Sequence, residues 1–502
     1  MSSQIKAGAI ISYMSIGINI LIGLLYTPWM ISSIGKENYG IYILATSVIT
    51  LFLFDFGLGS AVTRFVSRYL AEKRVDKVNN FLGIVAKLYL SFDLFFVCVL
   101  SGLYFFIPEI YKELTPDEIE TFKVVYVIVA SYSILSFPFI PLDGVITAHE
   151  KFVQLKLVEL FNKIFVVVAM AVCLWLGYGL YALVLVNTIS GILTILIKLV
   201  VIRKCTEVAP DISYKNRGEL KEIASYSGWV TVTALAQRLI FNIAPTILGI
   251  VSGSAEIAVF GIAMTFEAYV FSFANALNGL FLPRVTHLTL NDDVNSVLPL
   301  MIRVGRIQIF IIGLLILGFV GVGRDFINLW IGPDFNSVYE CTVLLVIPSF
   351  FFLPQLIGSN TILAQNKVKS QAYVFLIMGL FNVIAGYFLA ERFGALGFSM
   401  SVFLAYTIRT IGIDIIFKRG MNIDIATFFR QSFLSMSPAV IFALIITILI
   451  YLYISADNWA MLCVKTMLIV LSYLLSFWFL GFKPDEKTQF LSSLHTIFSR
   501  KN

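Results

Sequence analysis

The chain has 502 residues, of which 59% are hydrophobic and only 13% charged, and its mean hydropathy is +0.90. A soluble chain carries about a quarter charged residues, so a soluble enzyme is excluded, and the net charge of +6 belongs to loops flanking a membrane rather than to a nucleic-acid surface. Five scattered cysteines without a CxxC pair, and the isolated His149, His287 and His495, support neither a disulfide framework nor a metal centre, and no cofactor is expected.

A bilayer core about 30 Å thick needs some twenty apolar residues at about 1.5 Å of helical rise each. The apolar runs are continuous, which predicts helices and not the alternating strands of a barrel. In chain order the spans are expected at 9–32, 40–63, 81–107, 122–147, 157–176, 180–201, 223–251, 257–282, 301–323, 338–364, 371–390, 394–417, 432–454 and 459–480. The first follows Lys6 as a signal peptide would, but it is too long for such a segment and lacks a small-residue cleavage site, so it is read as the first transmembrane helix.

The loop charges alternate. One side carries only Lys36, Lys112, Lys123, Arg324 and Arg392, while Lys87, Lys163, Arg238 and Lys465 lie within spans. The remaining lysines and arginines, among them Arg64, Arg68, Arg203, Lys204, Arg306, Arg409 and Arg430, fall on the other side. The positive-inside rule then places both termini in the cytoplasm, beside an anionic inner leaflet.

The sequence also repeats. Phe137-Pro138 through Ala148-His149-Glu150-Lys151 aligns without a gap over Leu353-Pro354 through Ala364-Gln365-Asn366-Lys367, and Tyr178-Gly179 matches Phe393-Gly394. The repeat unit holds six spans, an even number, so both copies have the same orientation. The expected architecture is an all-α integral membrane protein with about fourteen transmembrane helices, arranged as two six-helix bundles plus two extra C-terminal helices. The expected divisions are 1–205 for the first bundle, 206–222 for a basic cytoplasmic linker, 223–420 for the second bundle, 421–482 for helices thirteen and fourteen, and 483–502 for a cytoplasmic tail. In that tail Phe490, Leu491, Leu494, Ile497 and Phe498 fall on one helical face, as in a helix lying on the membrane surface. Repeated transporters bind substrate between their repeats near the midplane.

Charges inside spans face a bundle interior or a wet cavity. Arg238 stands mid-span in the run Thr231, Thr233, Gln237, Arg238, Asn242, beyond the reach of snorkelling, and is expected to meet water, a carboxylate or an anionic ligand. Glu267 lies mid-span in span eight, as a structural partner of Arg238 or as a proton carrier. Asp143 follows Pro138 and Pro141 in a helix expected to kink, and Pro348 and Pro354 mark its repeat counterpart. Lys87 and Asp93, six residues apart, do not share a helical face and are expected to meet other helices. Glu159 and Lys163 are spaced for a local pair. Asp55 and Asp414 are expected to be hydrated or capped near the cytoplasmic ends, and Lys465 has no evident mate. Asp55-Phe56-Gly57 spells a kinase string, but the other kinase motifs and a P-loop are absent from the sequence.

The pattern Tyr26-Thr27-Pro28, Gly35-Lys36-Glu37-Asn38-Tyr39-Gly40-Ile41-Tyr42, Asp55-Phe56-Gly57-Leu58-Gly59 and Arg64-Phe65-Val66-Ser67, together with the repeated proline-to-lysine segment, resembles the Wzx-type oligosaccharide flippases. These polysaccharide transporters belong to the multidrug/oligosaccharidyl-lipid/polysaccharide exporter superfamily, which includes the MATE drug antiporters. The resemblance implies a MATE-like pair of bundles in a bacterial inner membrane. It further implies translocation of an undecaprenyl-diphosphate-linked oligosaccharide, an O-antigen or capsule repeat unit, from the cytoplasmic to the periplasmic leaflet by alternating access. It implies a cationic cavity, onto which Arg238, Lys87, Lys163 and Lys465 are carried, with Asn242 and Gln237 beside Arg238, while Glu267, Asp143 and Asp93 are candidates for ion coupling or structural pairing. Coupling to H+ or Na+, and partnership with a polysaccharide polymerase and a chain-length regulator, are left open by it. A lipid II flippase, a drug or cation antiporter and, from another class, a membrane polysaccharide polymerase are the rival readings. The last would be expected to carry a sizeable periplasmic loop, whereas the longest outside loops expected here are short, around 108–121 and 324–337.

Overall fold

The computed structural model describes residues 17, 20–52, 58–290, 297–364 and 368–488. The kinase-like string with Asp55, and the apolar face of the C-terminal tail, lie outside the described residues.

Among the described residues every regular element is helical. The helices are α1 (Ile20–Ile34), α2 (Lys36–Phe52), α3 (Leu58–Ala71), α4 (Val75–Ile110), α5 (Pro116–Ser136), α6 (Pro141–Ala148), α7 (Phe152–Trp175), α8 (Leu180–Cys205), α9 (Arg217–Phe241) and α10 (Ala244–Val251). They continue as α11 (Ser254–Leu290), α12 (Val297–Trp330), α13 (Ser337–Phe352), α14 (Leu356–Ala364), α15 (Val368–Ile415), α16 (Ile425–Phe429), α17 (Ser435–Tyr453) and α18 (Trp459–Ser476). Their outer faces are apolar: Phe105, Trp175, Ile384, Tyr453 and Met467 are all exposed. In water such surface would be buried, whereas in lipid it is solvated. This is a multi-pass membrane protein.

The expected count of fourteen spans is not reproduced. Ten helices among the described residues are long and apolar enough to cross, or eleven when the bent pair Thr231–Phe241 and Ala244–Val251 is one span. Three features account for the difference. α15 is two helices on either side of Gly394, in keeping with the expected spans 371–390 and 394–417. It is counted once among the ten, although its 48 residues would measure about 72 Å if straight, more than twice a bilayer core of about 30 Å. Gly394 interrupts it with φ 57° and ψ −137°, a conformation that glycine reaches without Cβ strain. The expected first span begins on undescribed residues, leaving α1 as a shorter apolar helix, and the second is divided between α2 and α3.

The repeat has a structural signature. Pro138 and Pro354 are each the second residue of a 3₁₀ turn, Phe137–Phe139 and Leu353–Gln355, which joins a long helix (α5, α13) to a short one (α6, α14). Proline has no N–H for the α ladder and its ring crowds the preceding turn, so the chain tightens locally to i→i+3 bonding.

The chain forms two compact units. The first comprises Ile22–Gly261 and Ala372–Ser401. Its aromatic core joins Phe65, Tyr69, Phe81, Tyr89, Phe96 and Phe137, with Phe96 and Phe137 edge to face at 5.2 Å. Gly40 lets α2 approach the start of α11 so closely that a Cβ there would sit 2.0 Å from the Ser254 carbonyl oxygen. Nearby, Thr115 and Glu118 form a reciprocal capping box at the start of α5, and Ser254 donates to Glu118. Glu256 accepts from the Ala395 backbone N–H at 2.7 Å, capping the helix that resumes after Gly394.

The described residues of the second unit lie within 262–371 and 402–488, with 17, 20 and 21. Here α17 and α18 pack on α12 through Ile309, Leu317, Ala439, Ala443, Tyr473 and Phe477, with the Tyr473 and Phe477 rings stacked at 4.5 Å. Between helices in lipid, close packing and hydrogen bonds supply the association energy that water expulsion supplies elsewhere.

Candidate functional site

The sequence of the seventh span makes a poor continuous helix, because Asn242 precedes Ile243, Ala244 and Pro245. The span bends by 42° between α9 and α10, and Arg238 stands in the last turn before the bend. It is half-buried, and its Nη1 donates to Asn242 Oδ1 at 3.3 Å. Gln237 beside it is exposed. The α9 backbone is braced by the first part of α15, where Asn382 donates to the Leu239 carbonyl at 3.3 Å and receives Ser401 Oγ at 3.1 Å. A cation and an amide thus flank a break in a membrane helix, an arrangement suited to an anionic group.

The other candidates in this unit have their own partners. Lys87 donates to the Tyr214 carbonyl at 2.5 Å. It thereby ties α4 to the loop after α8, where Asn79 also takes the backbone N–H groups of Ala209 and Asp211. Ser213 donates its hydroxyl and backbone N–H to Asp211, holding that carboxyl below the usual carboxylate range. Asp143, in the first turn of α6, pairs with Lys198 at 2.6 Å. Asp93 has one buried carboxylate oxygen without a hydrogen-bond partner among the described residues. Lys163 is exposed on α7. The local pair expected between Glu159 and Lys163 does not form: Glu159 binds Lys156 at 2.7 Å instead, since that lysine is the equally near neighbour one turn earlier.

In the second unit Glu267 is 4% exposed on α11 and accepts the Tyr406 hydroxyl at 3.3 Å. The charge of Arg409 also acts on it. Arg409, 2% exposed on α15, lies between two rings, 3.8 Å from the centroid of Phe352 and 4.2 Å from that of Tyr406. Its Nε and Nη2 have no hydrogen-bond acceptor among the described residues. A guanidinium so placed gains cation–π attraction but keeps unfilled donors in a dry setting, where an unmet charge is costly. Asn278 and Asn360 bond at 3.1 Å across α11 and α14. Asp414, expected to be hydrated or capped, instead has an oxygen buried beside Gln355.

Three residues have roles that the sequence reading missed. Arg409 and Arg306 follow the cytoplasmic charge pattern in the sequence, yet both are buried. Arg306 gives Nε and Nη2 to Glu486 at 2.5 and 2.8 Å, Nη2 also to the Gly481 carbonyl, and Nη1 to Ser435 Oγ and the Gln431 carbonyl. Lys465 finds its mate in Asp325 at 2.6 Å. In the sequence Arg409 lies well inside the apolar run 394–417 and Lys465 inside 459–480, whereas Arg306 lies near the start of 301–323. Among the described residues no cluster of His, Cys, Asp and Glu could hold a metal ion.

Residues 5–289 match the family described as polysaccharide biosynthesis protein. The chain belongs to that family. The chain is also similar to a protein described as the uncharacterized membrane protein EpsK of Bacillus subtilis (strain 168), 21% identical over 380 residues, 73% of each chain. The fold of this polysaccharide biosynthesis protein is shared with two solved transporters. The lipid II flippase MurJ in an inward closed conformation has a TM-score of 0.69 at 16% identity, covering 93% of this chain and 98% of that one. An inward-facing multidrug resistance MATE family transporter of the MOP superfamily has a TM-score of 0.66 at 14% identity, covering 82% and 98%. The expected MATE-like helical architecture is therefore present.

Proposed function

We propose that this polysaccharide biosynthesis protein is a flippase. It moves an undecaprenyl-diphosphate-linked oligosaccharide from the cytoplasmic to the periplasmic leaflet of a bacterial inner membrane, with both termini in the cytoplasm. The observation that carries the reading is Arg238, held by Asn242 at the break between α9 and α10. A lipid-linked sugar diphosphate cannot cross hydrocarbon unaided, because each polar group stripped of water costs about 2–7 kcal/mol. A cation at a helix break replaces part of that hydration for the diphosphate, and the isoprenoid tail stays in lipid. A hydrated chamber opens alternately to either side of the membrane. Gln237, Lys87 and Lys163 complete its polar wall, while Asp143 and Asp93 brace it. Glu267, with Tyr406 and Arg409, is the group through which an H+ or Na+ gradient would act.

The test is restoration of a defined lipid-linked glycan at the surface of a strain lacking its own flippase. Arg238→Ala should abolish or sharply reduce surface glycan at equal protein level, and Arg238→Lys should retain part of it. Normal glycan in the alanine variant removes Arg238 from the site. The fold shared with MurJ favours lipid II as a second substrate reading, and rescue of a strain depleted of its lipid II flippase would select it.

A further inference from the structure

The lipid-facing surface of α12, α13 and α17 contains a groove of about 570 Å³. Its floor is Ile309, which has no exposed surface. Phe350, Phe351, Phe433, Val440 and Ile441 also line it. Phe433 is fixed among its neighbours: its ring stacks on Phe351 at 5.7 Å and lies 5.0 Å from Phe429. The backbone beneath these rings is a π-helical turn, Arg430–Leu434, the i→i+5 irregularity that recurs at functional sites.

Arg430 is the charged residue among those lining the groove. It is exposed and forms no ion pair with a described residue. From Arg430 to Ile441 the helix advances about 16 Å, roughly half of a core about 30 Å thick. The cation therefore lies at the start of a span, and the apolar trough runs inward for the depth of one leaflet.

We infer that this groove holds one acyl chain of an anionic phospholipid, with Arg430 on its phosphodiester. The walls match a saturated or unsaturated hydrocarbon chain, and basic pockets between transmembrane helices recognise anionic headgroups. One guanidinium balances a singly charged phosphodiester, while a diphosphate carrier would leave charge uncompensated at this site. The assignment is independent of the transported substrate: it predicts a resident lipid that holds α17 against α12 and α13.

Native mass spectrometry of the full-length protein tests it, by titration with phosphatidylglycerol and with phosphatidylcholine of identical acyl chains. The wild type should retain phosphatidylglycerol preferentially. Arg430→Ala should weaken that retention about fivefold, the weight of one basic residue at a membrane surface, while Arg430→Lys preserves it. Val440→Trp, which fills the trough, should displace both lipids. Arg430 is solvent-exposed, so unchanged thermal unfolding in lipid-free detergent serves as the folding control for its variants. Equal retention of the two lipids by the wild type, or retention indifferent to Arg430→Ala, overturns the inference. Displacement of phosphatidylglycerol by equimolar undecaprenyl phosphate would also overturn it and give the groove to the isoprenoid carrier.

Discussion

Lys465 Nζ lies 2.6 Å from Asp325 Oδ2, and the lysine side chain is only 1% exposed. The pair joins α18 to the far end of α12 with the ammonium also 5.3 Å from the Tyr451 ring. A charge so deep in a membrane protein is tolerable only because its partner is fixed. Removing one member strands the other, so Lys465→Met should destabilise by about 3–5 kcal/mol. Replacing both with apolar residues should recover much of that loss. Thermal unfolding of Lys465→Met, Asp325→Leu and the double variant measures the coupling, and additive effects would deny the pair any structural role.

Arg306 makes the second anchor, between the start of α12 and the segment after α18. Burial raises the carboxyl of Glu486, but the N–H groups of Arg306 and of the Lys483 backbone more than offset this and hold it below its ordinary range. A carboxyl depressed in the folded state contributes stability that is complete above its unfolded value of about 4.3. That contribution fades as pH falls through the lower folded value. Glu486→Gln should therefore destabilise the protein at pH 7 by about 1–3 kcal/mol of lost charge-assisted bonding, read as a lower unfolding temperature, and the difference from wild type should shrink below about pH 4. A pH-independent difference would assign the effect to packing alone.

Tyr406 and Glu267 separate a structural role from a coupling role. Tyr406→Phe removes one hydrogen bond worth about 0.5–1.5 kcal/mol and should leave transport sensitive to collapse of the proton and sodium gradients. Glu267→Gln keeps the shape but not the charge, and should make residual transport insensitive to the same treatment. Wild-type transport that is unaffected by both ionophores would exclude ion coupling through Glu267.

Gly40→Ala places a methyl group into the Ser254 carbonyl oxygen. That contact is with backbone, which cannot rotate away, so overpacking should cost about 1–3 kcal/mol. The loss should appear as a lower unfolding temperature. An unchanged temperature would mean that α2 can move away from α11 at no cost.

What could be read along the chain was whatever has a local cause. Apolar length marks a membrane span, and Pro138 and Pro354 break their helices wherever those helices pack, so paired kinks were legible before the fold, although the 3₁₀ form of the break was not. Gly394 was visible as a boundary between two spans, and the helix is interrupted there. Arg238 was legible for the same reason, as a charge too far from either end of an apolar run to reach water.

The tertiary structure alone decided the partners. Lys465 and Asp325 are separated by 140 residues, and Arg306 and Glu486 by 180, so no periodicity links them. Loop charge and core charge also look alike in sequence: Arg306, near the start of its span, and Arg409, further inside its own, both follow the alternating pattern of cytoplasmic charge, but packing buries both. Glu159 chose Lys156 over Lys163 between two neighbours on one helix, a choice set by side-chain placement. Helix formation in lipid is dictated by hydrophobicity and backbone satisfaction within each segment, whereas the pairing of buried charges depends on which helices touch.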